Sequence, residues 1–205
     1  MTIKKELDLL FATNNRGKVE EMQRLFKGLP VSFRSLQDFR GVEIIEETGL
    51  TFEENAALKA QGYSRQTGLW ALADDSGLEI AALHDAPGIN SARYAGEKTD
   101  YEEKMRLLLL EIDRTGDVRR DARFVCEMAL SDKSGKLLLT ARGVCEGRIA
   151  NEPRGTNGFG YDPIFIPVGF NATFGQLSDE IKQQIGHRGL ASVKILRYLL
   201  GFIAV

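Results

Sequence analysis

Leu7-Asp8-Leu9-Leu10-Phe11-Ala12-Thr13-Asn14-Asn15-Arg16-Gly17-Lys18-Val19-Glu20-Glu21-Met22-Gln23-Arg24-Leu25-Phe26-Lys27 is the stretch that decides the fold class. Leu7 to Ala12 is a short, almost wholly apolar run, as expected of a strand buried on both faces. From Gly17 the period changes. Val19, Met22 and Phe26 recur at helical spacing, so Gly17 to Lys27 is predicted to be a helix. A strand passing through a short polar loop into a helix opens an α/β protein. The loop itself, Thr13 to Lys18, lies where unpaired N–H groups and the positive end of the helix dipole face outward, which suits phosphate. It is not a Walker A loop, because Ala12 and Val19 stand where glycine and a hydroxyl residue belong. Lys18 in the first helical turn opposes the dipole and makes sense with an anion between them, although an Asn-rich turn with an exposed lysine reads the same way.

Outward from this stretch, Val31 to Leu36 is predicted as a second strand. A helix is expected from Phe52 to Gln66, with Thr51 and Glu54 in capping-box spacing. Leu69 to Ala73 and Leu78 to Leu83 read as short strands flanking an Asp-Asp-Ser-Gly turn. A third helix is expected after Thr99, with Glu102 in capping register, running to about Arg114 and turning Met105, Leu108 and Leu109 to the core. Ala122 to Ser131 and Lys136 to Ile149 alternate around Asp132-Lys133-Ser134-Gly135, a hairpin pattern. A Gly-rich loop, Arg154 to Asp162, precedes a strand at Pro163 to Ile166, and helices close the chain near Ser178 to Ile185 and His187 to Leu200. The expected architecture is a mixed sheet flanked by helices.

With 205 residues, 43% hydrophobic and 27% charged, the chain has the composition of one soluble domain, 1–205, with two lobes at most. A net charge of -2 gives no general attraction to a nucleic-acid backbone, so an anionic substrate needs a local cluster of cations. Lys4 and Lys5 precede an apolar stretch too short and too acidic for a signal core or a membrane span, and a cytoplasmic location is expected. Cys126 and Cys145 lack zinc-site spacing and read as reduced core thiols.

Three further segments carry chemistry. Phe52, Asn55, Ala56, Lys59 and Tyr63 share one helical stripe, which turns an amide and an ammonium inward, to meet ligand groups or, for Lys59, to lead its stem back out. Glu46 and Glu47 before that helix, with Asp74 and Asp75 at a strand end, are carboxylates from separate segments, the way magnesium is held with waters and substrate phosphates. Each acid alone also reads as solvated loop or turn. Finally, Gly158 and Gly160 free the backbone around Phe159 for presentation to a purine, and Lys182, His187 and Arg188 supply donors, although a turn aromatic and a helix-start His-Arg pair are also common structural features.

Ala12-Thr-Asn-Asn-Arg-Gly-Lys, Glu46-Glu-Thr-Gly-Leu-Thr-Phe-Glu-Glu-Asn-Ala, Ala73-Asp-Asp-Ser-Gly-Leu, Ala86-Pro-Gly-Ile-Asn-Ser-Ala-Arg-Tyr-Ala-Gly, Gly158-Phe-Gly-Tyr-Asp-Pro-Ile-Phe and His187-Arg-Gly, in that order, closely resemble the inosine triphosphate pyrophosphatase family. The likeness spans Ala12 to Ala191. It implies an elongated mixed sheet, two lobes with a nucleotide cleft between them, and a homodimer; from charge and hydropathy, neither nucleic acid nor membrane is an expected partner. It implies that Thr13, Asn14, Asn15, Arg16, Gly17 and Lys18 bind the triphosphate with Asn55 and Lys59. Glu46 and Asp75 would hold Mg2+, Asp75 would accept a proton, and Ser76 would touch the substrate. Phe159, Gly160, Tyr161, Asp162, Lys182, His187 and Arg188 match the base and ribose pocket. The activity implied is hydrolysis of dITP, ITP and XTP to the monophosphate and pyrophosphate by water attack on the α-phosphorus. Two residues depart from the family pattern, Gly186 where Ser usually precedes His-Arg and Asn14 where many members have Gly. A related pyrophosphatase for modified pyrimidines would need a Ser-x-Ser-Pro-Arg-Arg opening that this chain lacks. A silent nucleotide sensor would not need the acidic set.

Overall fold

The computed structural model describes residues 7–203, so the Lys4-Lys5 reading lies outside the described residues. β1 (Leu7–Phe11) leads into α1 (Arg16–Leu25) and then β2 (Val31–Ser35). α2 (Phe52–Thr67), β3 (Trp70–Ile80) and α3 (Tyr101–Thr115) follow. β4 (Asp121–Ser131), β5 (Leu137–Ile149), β6 (Phe165–Pro167), α4 (Asp179–Ile185) and α5 (His187–Ile203) complete the order. Among the described residues the strands form one six-stranded sheet in the order β2-β1-β3-β4-β5-β6. β1 runs parallel to both β2 and β3, whereas β5 and β6 are antiparallel, so the sheet is mixed.

The chain divides into two compact units. The first comprises the residues up to Asp75, Cys126–Arg142 and those from Ala191 on. Its sheet is covered on both faces, with Leu9, Phe11 and Leu72 packing on Met22 and Phe26 of α1, and Leu10, Ala71 and Ala73 packing on Ala56, Ala60 and Tyr63 of α2. Leu9 and Leu10 are both fully buried, each contributing about 2 kcal/mol of transfer free energy. The second unit, Ser76–Val125 and Gly143–Leu190, is built around Ile80, Leu108, Ile112, Phe124, Phe165 and Phe174. Met105, Leu108 and Leu109 belong to this core, as their spacing predicts.

The structure departs from the sequence reading at three places that matter for the site. Asp74-Asp75-Ser76-Gly77 is not a turn between two strands; β3 runs through it without a break. Successive side chains alternate across the sheet, so Asp74 shares the Leu72 face with Lys18, and Asp75 shares the Ala73 face with Lys59. A cation stands beside each carboxylate, Lys18 by Asp74 and Lys59 by Asp75, and offsets its charge so that the strand continues; Ala81–Leu83, expected as strand, is a short 3-10 turn. α3 is capped by Asp100, not Thr99: Asp100 Oδ1 accepts from Glu103 N at 2.9 Å, while the Thr99 hydroxyl is spent on Ala95 O at 2.7 Å. Asp162–Ile164 is a 3-10 turn closed by Ile164 N on Tyr161 O, and strand pairing begins only at Phe165.

Cys126 and Cys145 are buried free thiols. Burial, with Glu146 and Asp162 adding to it, pushes the Cys145 thiol up to about 12, so it stays protonated. Among the described residues no helix is long and apolar enough to cross a membrane.

Candidate active site

The turn after β1 is organised by its own side chains. Thr13 Oγ1 accepts from Asn15 N at 3.2 Å, and Asn15 Oδ1 caps α1 by accepting from Lys18 N at 3.2 Å. No acidic side chain occupies the first turn of α1, so nothing in that turn neutralises the positive end of its dipole. Asn14 and Arg16 are exposed, and Arg16 turns to Glu20 at 2.9 Å. Lys18 instead turns inward, with its Nζ 3.1 Å from Asp74 Oδ2 at the end of the first unit's stretch of β3. The Cys126 thiol lies 3.9 Å from that same oxygen.

Asn55 and Lys59, one turn apart on α2, are both buried. Lys59 does not lead its stem out to water. Its Nζ donates to Glu47 Oε1 at 2.8 Å and Asp74 O at 2.7 Å, and stands 3.8 Å from Asp75 Oδ1. Burial disfavours this ammonium, but Asp75, Asp74 and Glu47 outweigh it and hold its pKa above the ordinary value. For Asp75, burial pushes the carboxyl upward and Glu47 adds to the rise, while Lys59, Lys18 and the Asn55 amide pull the other way. The result is a carboxylate raised above its usual range, among two ammonium groups.

Glu46 is exposed and stays outside this cluster; Glu47 is the acid that enters it. In the extended segment around them, Ile45, Glu47 and Gly49 are partly buried and Glu46, Thr48 and Leu50 are exposed. Period-two alternation from apolar Ile45 is the sequence signal that selects Glu47 over Glu46. Among the described residues no three His, Cys, Asp or Glu side chains form a ready-made metal cage. Asp75 with Glu47 fits the other arrangement, in which one or two carboxylates hold a hard cation and phosphate oxygens and waters complete its shell.

The second unit carries a cluster of different character. Arg188 Nη2 donates to Ser76 Oγ at 2.8 Å, and its guanidinium carbon lies 5.6 Å from the Phe159 ring centre. Lys182 Nζ lies 4.7 Å from the same ring centre and 5.8 Å from that of Phe174. Asp162 Oδ2 accepts from Lys182 Nζ and, at 2.7 Å, from Phe159 N. Gly158 has a φ of +72°, and a Cβ there would meet Asp162 Oδ2 at 2.0 Å, so this glycine is required both for the turn and for the approach of the carboxylate. His187 is buried and stacks on Phe124 with ring centres 4.7 Å apart and planes at 15°. Phe159, Asp162, Lys182 and Arg188 are thus brought together, with Gly160 at a φ of +66° and Tyr161 turned into the core beneath them.

The sequence reading gave no role to the Ala86–Gly96 segment. Its Ser91 Oγ accepts from Leu78 N at 2.8 Å, and its Ser91 O accepts from Tyr161 Oη at 2.9 Å. Ser91 therefore braces the start of β3 in this unit against the Phe159 loop, and Lys104 Nζ donates to the neighbouring Ala92 O. Such a brace joins residues far apart in sequence, and no local pattern announces it.

The sequence profile of the Ham1 family matches residues 9–198. A protein of Coxiella burnetii named dITP/XTP pyrophosphatase is 46% identical over 186 residues, 90% of this chain and 92% of its own. Another of Bacillus anthracis, with the same name, is 44% identical over 188 residues, 91% of this chain and 93% of its own. The solved structure of a HAM1 protein from Coxiella burnetii superposes with a TM-score of 0.87 at 44% identity, covering 95% of this chain and 99% of that one. With the six ordered segments, the sheet order and these likenesses in agreement, the chain belongs to the Ham1 family.

Proposed function

We propose that this protein hydrolyses deaminated purine nucleoside triphosphates, dITP, ITP and XTP, to the nucleoside monophosphate and pyrophosphate. The observation that carries the chemistry is Asp75, a buried carboxylate beside Lys59 and within the field of Lys18. The choice of substrate is supported by relatives at 44% and 46% identity that are named dITP/XTP pyrophosphatases.

In the proposed reaction the triphosphate lies at the Thr13–Lys18 turn, where the α1 dipole, Lys18 and Lys59 offset its charge. Asp75 orients a water and takes its proton as the water oxygen bonds to the α-phosphorus. The bond from that phosphorus to the bridging oxygen breaks, and pyrophosphate leaves with the electron pair. Magnesium, held by Asp75 and, in this structure's arrangement, by Glu47 in preference to Glu46, would supply charge neutralisation on the phosphates. Burial raises the Asp75 carboxyl toward the range useful to a general base.

Purine recognition is assigned to Phe159, Lys182, His187 and Arg188. Cations and N–H donors favour bases whose 2- and 6-positions carry acceptors or hydrogen, as in hypoxanthine and xanthine. A buried donor facing the 6-amino group of adenine is left unpaired, a mismatch that rejects an analogue by roughly 10⁴-fold in sites of this kind. The two units act as one functional domain in a cytoplasmic homodimer. Hydrolysis of dITP in ¹⁸O-water tests the chemistry. The label is expected in the monophosphate, as attack at the α-phosphorus requires, and label in the pyrophosphate would overturn this route.

A further inference from the structure

Asn55 is fully buried, and its amide has two protein partners on different segments. Oδ1 accepts from Gly49 N at 2.8 Å, and Nδ2 donates to Asp75 Oδ2 at 3.1 Å. One rigid plane therefore joins the backbone of the acidic segment to the carboxylate on β3. Lys59, one turn further along α2, makes a second such link from Glu47 to the carbonyl of Asp74.

Gly49 shows what this arrangement demands of the sequence. It is not among the glycines of positive φ, so its backbone is open to any residue. A Cβ there would nevertheless lie 2.6 Å from Glu54 Cβ and 2.8 Å from Asn55 Oδ1. The glycine is needed for close approach to Asn55, not for a turn. Glu54 supports the same geometry from the other side, with Oε2 accepting from Leu50 N at 2.7 Å.

We propose that Asn55 is a positioning residue and not a phosphate ligand: with Gly49 it forms a clamp that fixes the Asp75 carboxylate relative to the acidic segment. This rests on the role given to Asp75 above. With Oδ2 held by the amide, the carboxylate does not rotate freely, and Oδ1 stays on the side of Lys59. A reacting group misplaced by about 1 Å costs on the order of 10²-fold in rate, so the clamp is expected to act on kcat, whereas a phosphate ligand also acts on substrate binding.

The test uses the full chain with magnesium and dITP, in Asn55→Ala, Gly49→Ala and the double variant. Asn55→Ala is expected to lose kcat by roughly 10²-fold with KM within about twofold, and Gly49→Ala, which removes no site side chain but crowds Asn55, to lose roughly tenfold in the same manner. Because both act through one hydrogen bond, the double variant is expected to be no worse than the worse single. A raised KM with kcat kept in Asn55→Ala, wild-type kcat in folded Gly49→Ala, or multiplicative losses in the double variant would each overturn the clamp. Hydrogen exchange at the Gly49 amide decides the same question without turnover. Exchange faster by tenfold or more in Asn55→Ala supports the clamp, and equal exchange in both proteins contradicts it. If wild-type protein releases no pyrophosphate from dITP, the proposed function fails and the exchange measurement still judges the clamp.

Discussion

The carboxylate–lysine cluster of the first unit and the aromatic–cation cluster of the second differ in what surrounds their charges: carboxylates alone in the first, an aromatic face as well in the second. In the first, Lys18 and Lys59 offset most of the charge of Asp74, Asp75 and Glu47 across short, largely buried distances. Removing one member leaves another charge buried without compensation, a large penalty. In the second, Lys182 is paired with the buried Asp162, but Lys182 and Arg188 also rest over the face of Phe159, where each contact is worth about 0.5–2 kcal/mol. The first arrangement suits an all-or-none chemical step, and the second suits graded discrimination between similar bases.

This contrast predicts that variants of the first cluster abolish turnover and variants of the second redistribute it. The largest effect is expected for Asp75→Asn, which removes the proposed proton acceptor at nearly constant shape. Its kcat should fall by roughly 10³-fold while dITP binding, measured by calorimetry, survives. Near-normal turnover would break the comparison at its strongest point. Lys59→Met comes next, with kcat lower by roughly 10²-fold and a reduced Tm, because Asp75 and Glu47 then face one another without the ammonium between them. Arg188→Met should change overall turnover on dITP less than either, yet lower the preference for dITP over dATP by roughly tenfold in kcat/KM. A loss equal for both nucleotides would show that the second cluster does not discriminate.

The smallest effect is expected at Glu127, a buried acid of the first unit that lies outside both clusters. Burial pushes its carboxyl above the ordinary value and Glu53 adds to the rise, against Arg142 at 3.6 Å and Lys194. A carboxyl raised by folding favours the folded state while protonated, and that contribution is lost as pH rises through the folded value. Glu127→Gln is therefore expected to raise Tm by about 2 °C at pH 7 and to change it little at pH 4. A fall in Tm at pH 7 would mean that its pairing with Arg142 outweighs burial.

The two clusters also differ in how far the sequence discloses them. The turn after β1 and the stripe of α2 were legible because both depend on local periodicity, and Lys18, Asn55 and Lys59 follow from it. What periodicity missed was the company these residues keep. The Asp74-Asp75 pair reads as a turn until cations are seen on both faces of β3. Glu46 and Glu47 are chemically identical, and only the alternation set by Ile45 separates them. In the second unit the Gly158-Phe159-Gly160 turn was legible, but the partner of Asp162, the stacking of His187 on Phe124 and the Ser91 brace are made by residues 20 to 70 positions apart. Those contacts exist only once the strands have paired.

Steady-state pyrophosphate release by the wild-type protein with magnesium, compared across dITP, XTP, dGTP, dATP and dUTP, decides whether the enzyme selects deaminated purines. Rapid release is expected from dITP and XTP, with kcat/KM for dGTP, dATP and dUTP lower by at least about 10²-fold. Equal rates on dITP and dGTP would contradict it.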